Sequence, residues 1–344
     1  MLFIRVQALH RWFRVTTKTV FLFYSTCVFA QLSPAEFVVP RTIDGAPDLQ
    51  GMWTNNTITP LQRDEHWGEK LILTPEEALN LERQVSEFSA QQDEPSNPDR
   101  TAPKKSKIDL EDSYNDFWFD DGTLVAEYNG EFRSSLIIDP TNGRLPQYNS
   151  QAEFRIEAAS KRRESIGAYA GPEARPLAER CLLSFSSSGR SSGPPMLPIL
   201  YNNLYQIVQS PGYVVIHVEM VHDTRIIRIN DTPLPSNIRP WLGDSLAHWE
   251  NNTLVVETSN FHPLQHFRNS SESFKIEERF TRVAENRINY EFTVSDPETW
   301  SNSWSAEIPL NTTQEKLYEY ACHEGNYSLP GVLAGARRAE ASHQ

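Results

Sequence analysis

The sequence predicts a mainly β protein: an antiparallel, barrel-like meander of the lipocalin/calycin kind, or a sandwich meander as the alternative, with two N-terminal helices. Three observations predict it. From Leu204 onward, β-rich runs follow at short spacing: "YQIVQ", "YVVIHVEMV", "RIIRI", "TLVVETSNF", "FKIEERFTRV", "RINYEFTVS", "SWSAEIPL" and "KLYEYACHE". Turn residues separate them, among them Pro211-Gly212, Asn230-Asp231, Asn251-Asn252 and Glu285-Asn286. The 23 prolines in 344 residues favour many short elements over long helices. Strands in such a series close most economically into a barrel, which leaves no edges. No period of about 40–50 residues repeats, which argues against a propeller.

The N-terminus reads as a targeting segment. Arg5, Arg11, Arg14 and Lys18 precede the first acidic residue, Glu36. The apolar run Val20–Ala30 is too short to span a bilayer, and Val28 and Ala30 fit a cleavage site before Gln31. A cleaved signal peptide at residues 1–30 is the expectation, an uncleaved anchor the alternative, and the destination secreted or periplasmic. Residues 31–135 are expected to form an irregular and helical segment packed on the barrel. Residues 136–344 would form the β-rich domain itself, ending in a short helix.

Within the first segment, "LTPEEALNLERQVSEF" opens with Thr74, Pro75 and Glu77, a capping box for a helix to about Ala90. The polar, proline-bearing stretch 91–112 reads as a flexible loop. "RSSLIIDPTNGRLP" reads as a strand, a turn at Asp139–Gly143 and a returning strand. Ser150 and Glu153 offer a second capping box for a helix to about Ser165. "EARPLAERC" suggests a shorter helical turn, and "SFSSSGRSSGPPMLP" a Ser/Gly/Pro loop.

Charge excludes some functions. The chain carries a net −13, and loss of residues 1–30, with four basic and no acidic residues, takes it to −17. Phosphate backbones and anionic lipid surfaces should repel it, and no basic run exceeds two or three residues. Nucleic acid and stable membrane insertion are therefore not expected partners. Two cysteines remain after the signal, Cys181 and Cys322. In an oxidising compartment they form a disulfide most simply, two buried free thiols being the alternative.

The densest ionisable cluster is "HVEMVHDTR", with His217, Glu219, His222, Asp223 and Arg225, where His217 and Glu219, two apart on one strand, would share a face. A His beside a carboxylate can have its tautomer fixed and its basicity raised. A solvated hairpin tip is the other reading. Strand alternation places Phe274, Ile276, Glu278 and Phe280 on one face, and Ile288, Tyr290, Phe292 and Val294 on one face of the next strand. Glu278 is thus an inward carboxylate that must find a partner, such as Arg225 or Arg228, or shift its pKa upward. "GRSSG" matches G-x-S-x-G around Ser191, but neither a strand nor an apolar helix flanks it, so a loop is expected. "HEGNY" is not H-E-x-x-H, no C-x-x-C occurs, and no Gly-rich phosphate loop is present. No metal and no cofactor are expected.

These residues compose a candidate site. His222 would act as acid and base, Glu219 or Asp223 would orient it, Arg225 would stabilise developing negative charge, and Glu278 would be a second carboxylate. His323 and Glu324 would complete the pocket if the last strand closes the barrel, with Tyr290, Tyr320 and Trp304 lining it. The function this implies is an exported, metal-independent acid–base enzyme of lyase, isomerase, dehydratase or cyclase type. Its substrate would be a largely apolar small molecule within the barrel. The alternative is an extracytoplasmic protein that binds an apolar ligand without converting it.

The segments "PDLQGMWTN", "LTPEEA", "GPPMLPILYNNLYQIVQSPGYVVIHVEMVHDTRIIRI", "WLGDS", "LVVETSNF" and "LYEYACHEGNY" carry a resemblance. With "EERFTRV" and "EFTVSDP", they make the mature chain similar to a widespread family of secreted bacterial proteins of no established function. The resemblance implies export and one continuous unit. It implies no activity.

Overall fold

Strand alternation builds the fold. Along Arg287–Ser295 the side chains of Ile288, Tyr290, Phe292 and Val294 all turn inward and are fully buried. The computed structural model describes residues 37–92, 119–120, 122–184 and 192–342. In chain order the elements are β1 (Gly51–Thr54), β2 (Ile72–Leu73), α1 (Pro75–Gln92), β3 (Glu127–Tyr128), β4 (Glu131–Arg133), β5 (Ile137–Asp139) and α2 (Ser150–Ile166). Then follow β6 (Leu204–Ser210), β7 (Tyr213–Val218), β8 (Thr224–Ile229), β9 (Asp244–Glu250) and β10 (Thr253–Ser259). Last come β11 (Lys275–Ala284), β12 (Arg287–Ser295), β13 (Trp304–Thr312) and α3 (Ser328–Ser342).

Nine strands close a barrel in the order β1, β6 to β13, and β1 again, with Trp53 opposite Tyr205 on one side and Thr312 on the other. β5 pairs with Ser305 and Ala306 at the start of β13, beyond the two residues that β1 takes at its end, and β2, β4 and β3 form a separate small sheet. Residues from Phe37 onward cluster as one unit. A boundary at residue 135 is therefore not observed, because β1 lies in the N-terminal segment and closes the barrel.

The barrel is mixed, not wholly antiparallel. β8 and β9 run parallel, with Ile227 opposite Ser245 and Ile229 opposite Ala247. A parallel pair needs a crossover of about a dozen residues or more. Residues 230–243, with Pro233, Pro235 and Pro240, supply one. Asp244 secures its return, accepting from Arg228 Nη2 at 2.7 Å and from the Leu234 N–H at 2.7 Å.

The interior is filled by side chains. Trp304 meets Phe292 edge-on at 5.4 Å between ring centres, and Phe292, Tyr290 and Phe280 continue the stack at 5.7 and 4.9 Å. Trp53, Tyr205, Phe267 and Ile308 are buried in the same cluster. Aromatic content that could have lined a ligand cavity instead packs against itself.

Outside the barrel, α1 begins with the Thr74–Glu77 box: the Glu77 N–H donates to Thr74 Oγ1 at 3.2 Å and the Thr74 N–H to Glu77 Oε2 at 2.8 Å. α2 starts one residue before the sequence suggests. Asn149 is its cap, Oδ1 accepting the Ala152 N–H at 2.9 Å, and Ser150 is already helical. It lies mid-chain, not in the N-terminal segment. The strand expected to return after Gly143 does not form, since the Gly143 carbonyl accepts the Arg63 N–H at 2.9 Å instead. The strand expected at "KLYEYACHE" does not form either. The Thr313 N–H makes a last bond to the Met52 carbonyl at 3.2 Å, beyond which the chain leaves the barrel without regular structure. The targeting segment at residues 1–30, the loop beyond Gln92 and Ser191 lie outside the described residues. Among the described residues, no helix is long and apolar enough to cross a membrane.

Candidate functional site

The expected site residues divide into two groups, one inside the barrel and one on it. Arg225 on β8, Glu278 on β11 and Tyr290 on β12 form the inner group. Arg225 Nη1 donates to Glu278 Oε1 at 2.9 Å while Nη2 meets Oε2, a bidentate pair. Arg225 also donates to Ser245 Oγ at 2.9 Å and Thr258 Oγ1 at 2.6 Å. The Tyr290 hydroxyl donates to Glu278 Oε1 at 2.8 Å and accepts the Met196 N–H at 3.0 Å. Burial, reinforced by the Glu278 charge, holds the Tyr290 phenol well above its usual pKa. All three guanidinium nitrogens and both carboxylate oxygens have a protein partner. Glu278 and Arg225 are thus a satisfied buried pair, not a free carboxylate and a free cation facing substrate. Trp304 is equally sealed, at 0 % exposure in the core.

The outer group lies where the β7–β8 connection meets the segment after β13. Val221 and His222 both have left-handed backbones, with φ of 58° and 48°. That conformation costs an L-residue roughly 1–2 kcal/mol, and it is uncommon for a β-branched one. Burial of Met220 and Val221 in the core holds it, together with the Val218 N–H bond to the Asp223 carbonyl at 2.8 Å. The turn thrusts His222 outward. Its Nδ1 lies 3.0 Å from the Tyr320 carbonyl oxygen. A carbonyl can only accept, so Nδ1 carries the proton and Nε2 is left as the free basic nitrogen.

Asp223 sits behind His222. The Ser184 N–H bonds its carboxylate, Oδ2 is buried without a partner among the described residues, and burial pushes the carboxyl up to about 7, against the lowering effects of Ser184 and of His222. Glu219 is not on the face of His217. β7 ends at Val218, and Glu219 turns inward, where Oε1 accepts the Tyr318 N–H at 3.0 Å. His217 pairs with Thr224 instead, Nδ1 to Oγ1 at 2.8 Å.

The opposite wall is the chain from Leu317 to Glu324. The Cys181–Cys322 disulfide ties it to the loop after α2. Burial and the neighbouring Tyr201 push the Tyr320 phenol up to about 12. His323 and Glu324 occupy a turn, not a strand, so alternation does not apply to them; both are exposed. With His217 and His222 these residues line an open cleft of about 570 Å³. His222, Tyr320, His323 and Glu324 are therefore brought together, Glu219 and Asp223 support them from behind, and Arg225, Glu278, Tyr290 and Trp304 belong elsewhere.

The sequence does not announce the parts that Tyr201, Val221 and Tyr318 take. Nothing in a valine announces a left-handed backbone, and Tyr318 takes part through its main chain. Among the described residues, no cluster of His, Cys, Asp or Glu is placed to hold a metal ion. No family model matches the chain, and no curated protein or solved structure matches it.

Proposed function

We propose that this protein is an acid–base enzyme of lyase or isomerase type, and that its reaction takes place in the cleft between the β7–β8 turn and the segment Leu317–Glu324. The observation that carries this reading is the placement of His222. A strained left-handed turn presents it, the Tyr320 carbonyl selects the tautomer with Nε2 free, and the cleft lies open beside it. Nε2 takes a proton from the bound molecule and returns it at another atom or to a leaving group. Asp223, whose charge changes near neutral pH, modulates the imidazolium that forms. The substrate is a small molecule in the cleft rather than one inside the packed barrel. Export of the protein is supported by the disulfide, which an oxidising compartment maintains.

A binding protein without turnover is the second reading, favoured by the aromatic wall, where Tyr318 is 75 % exposed. Proton-exchange NMR separates the two. The protein is incubated in deuterated water with a panel of small carbonyl and hydroxy compounds, and loss of C–H signal is followed. An enzyme exchanges one compound class catalytically, and His222→Ala stops it while the circular dichroism stays unchanged. Full exchange in His222→Ala would remove His222 from the reaction.

A further inference from the structure

The chain is strongly acidic, yet one of its cavities is walled by arginines. Between α2, the residues 167–180 that follow it, and the stretch from Leu264 to Ser270 lies a cavity of about 720 Å³. Arg155, Arg162, Arg163, Arg175 and Arg180 line it with His266, and among the described residues Glu173 is its one acidic lining residue. These residues are dispersed in sequence. The helical period gathers three of them: Arg155, Arg162 and Arg163 fall on the same face as Ile156, Ala159 and Ile166. The acids of α2, Glu153, Glu157 and Glu164, fall at spacings of four and seven on another face, where Glu157 pairs with Lys161 at 2.6 Å.

The positive charge there is largely uncompensated. Arg175 is paired, donating through Nε and Nη2 to Glu179 at 2.7 Å each. Arg155 is held by neutral acceptors, the Glu298 and Asn269 carbonyls at 3.1 and 3.0 Å and Thr299 Oγ1 at 2.7 Å, so its charge stands. Among the described residues, Arg162, Arg163 and Arg180 make no ion pair. A second observation is independent of charge. Ser270, 1 % exposed, lines the same cavity, and its hydroxyl has no hydrogen-bond partner among the described residues. A buried polar atom left without a partner is costly, and a ligand oxygen would satisfy it. Apart from Asn269, the remaining wall is apolar, including Ile156, Leu177 and two exposed large side chains, Ile166 and Leu264.

We infer that this cavity binds an amphipathic oxyanion: a carboxylate or phosphate head among the arginines, and an apolar body against Ile156, Ile166, Leu177 and Leu264. The guanidinium fork matches either head group in bidentate fashion. The site shares none of the cleft's lining residues, so it is an addition to the proposed reaction and does not depend on it.

Isothermal titration of the full chain with decanoate, decyl phosphate, decanol and inorganic phosphate tests this. One or both of the amphipathic anions should bind, decanol and inorganic phosphate at least about tenfold more weakly, since each lacks one half of the recognition. Which anion is tighter identifies the head group. The double variant Arg162→Gln/Arg163→Gln, on an exposed helix face, should lower affinity about tenfold or more with unchanged circular dichroism. Ser270→Ala should weaken binding without lowering stability, because the hydroxyl it removes has no partner to lose. Decanol binding as tightly as decanoate, inorganic phosphate binding as tightly as decyl phosphate, or undiminished affinity in the double variant would each overturn the inference. Binding retained in His222→Ala is expected, and keeps this test separate from that of the cleft.

Discussion

Glu219 and Tyr318 are 99 residues apart, and Glu219 Oε1 accepts the Tyr318 N–H at 3.0 Å. The bond joins the end of β7 to a segment that makes no strand pairing of its own. It holds one wall of the cleft against the other. Glu219→Ala should lower stability by about 1–2 kcal/mol and sharply speed amide exchange from Leu317 to Glu324. Glu219→Gln keeps a carbonyl acceptor and should retain most of the protection. Exchange at Tyr318 that is unaffected by Glu219→Ala would show that the disulfide alone holds the segment.

The disulfide closes a loop of 141 residues. At the chain-entropy limit such a loop contributes about 5 kcal/mol. Urea unfolding with and without reductant should therefore shift markedly, and Cys322→Ser should reproduce the shift. The same substitution loosens Tyr320, whose carbonyl selects the His222 tautomer. Exchange activity in the cleft should fall further than the loss of folded protein accounts for. Equal midpoints with and without reductant would contradict the first expectation.

Strand alternation was legible because it is a local rule. Phe274, Ile276, Glu278 and Phe280 do share the inner face, and the inward carboxylate does meet Arg225, one of the two partners anticipated. The Cys181–Cys322 bond followed from counting in the same way. What escaped depends on distant parts of the chain. β8 and β9 run parallel because a proline-bearing crossover separates them, whereas short β-rich runs suggest hairpins. "KLYEYACHE" has strand composition but no free neighbour once β1 has closed β13. The left-handed pair Val221–His222 is imposed by burial of Met220 and Val221, against local preference. The arginine cavity has a partial trace, the helical spacing of Arg155, Arg162 and Arg163, but its other wall comes from residues about 100 positions away in sequence.

The Arg225–Glu278 pair makes opposite predictions for single and double substitutions. Glu278→Ala or Arg225→Ala strands a buried charge and should cost about 3–5 kcal/mol. Replacing both, as Arg225→Met with Glu278→Leu, removes both charges together. Ser245 Oγ still lies 2.9 Å from Thr258 Oγ1, and the Tyr290 hydroxyl keeps the Met196 N–H, so few polar atoms are orphaned. The double variant should lie within about 2 kcal/mol of the parent. A double-mutant cycle by urea unfolding checks this. Additive losses would mean that the two side chains act independently.

Asp223 should leave a signature in the pH dependence of stability. Its carboxyl is raised from an ordinary 3.8 to about 7 in the folded chain, chiefly by burial. The folded protein therefore holds a proton that the unfolded chain has already released between those values. The stability this contributes is fully present below about pH 4 and is lost as pH rises through about 7. Asp223→Asn removes the titration while keeping an oxygen that can accept the Ser184 N–H. Glu307 and Asp120 are also raised by burial, but they remain in both proteins and cancel in the difference. The variant should thus gain on the parent steadily from about pH 4.5 to pH 8, and the gain should level off once Asp223 is ionised in both states. Urea midpoints for both proteins across that range measure it. A difference that stays constant with pH would show that Asp223 titrates near its ordinary value and that its buried Oδ2 is solvated in solution.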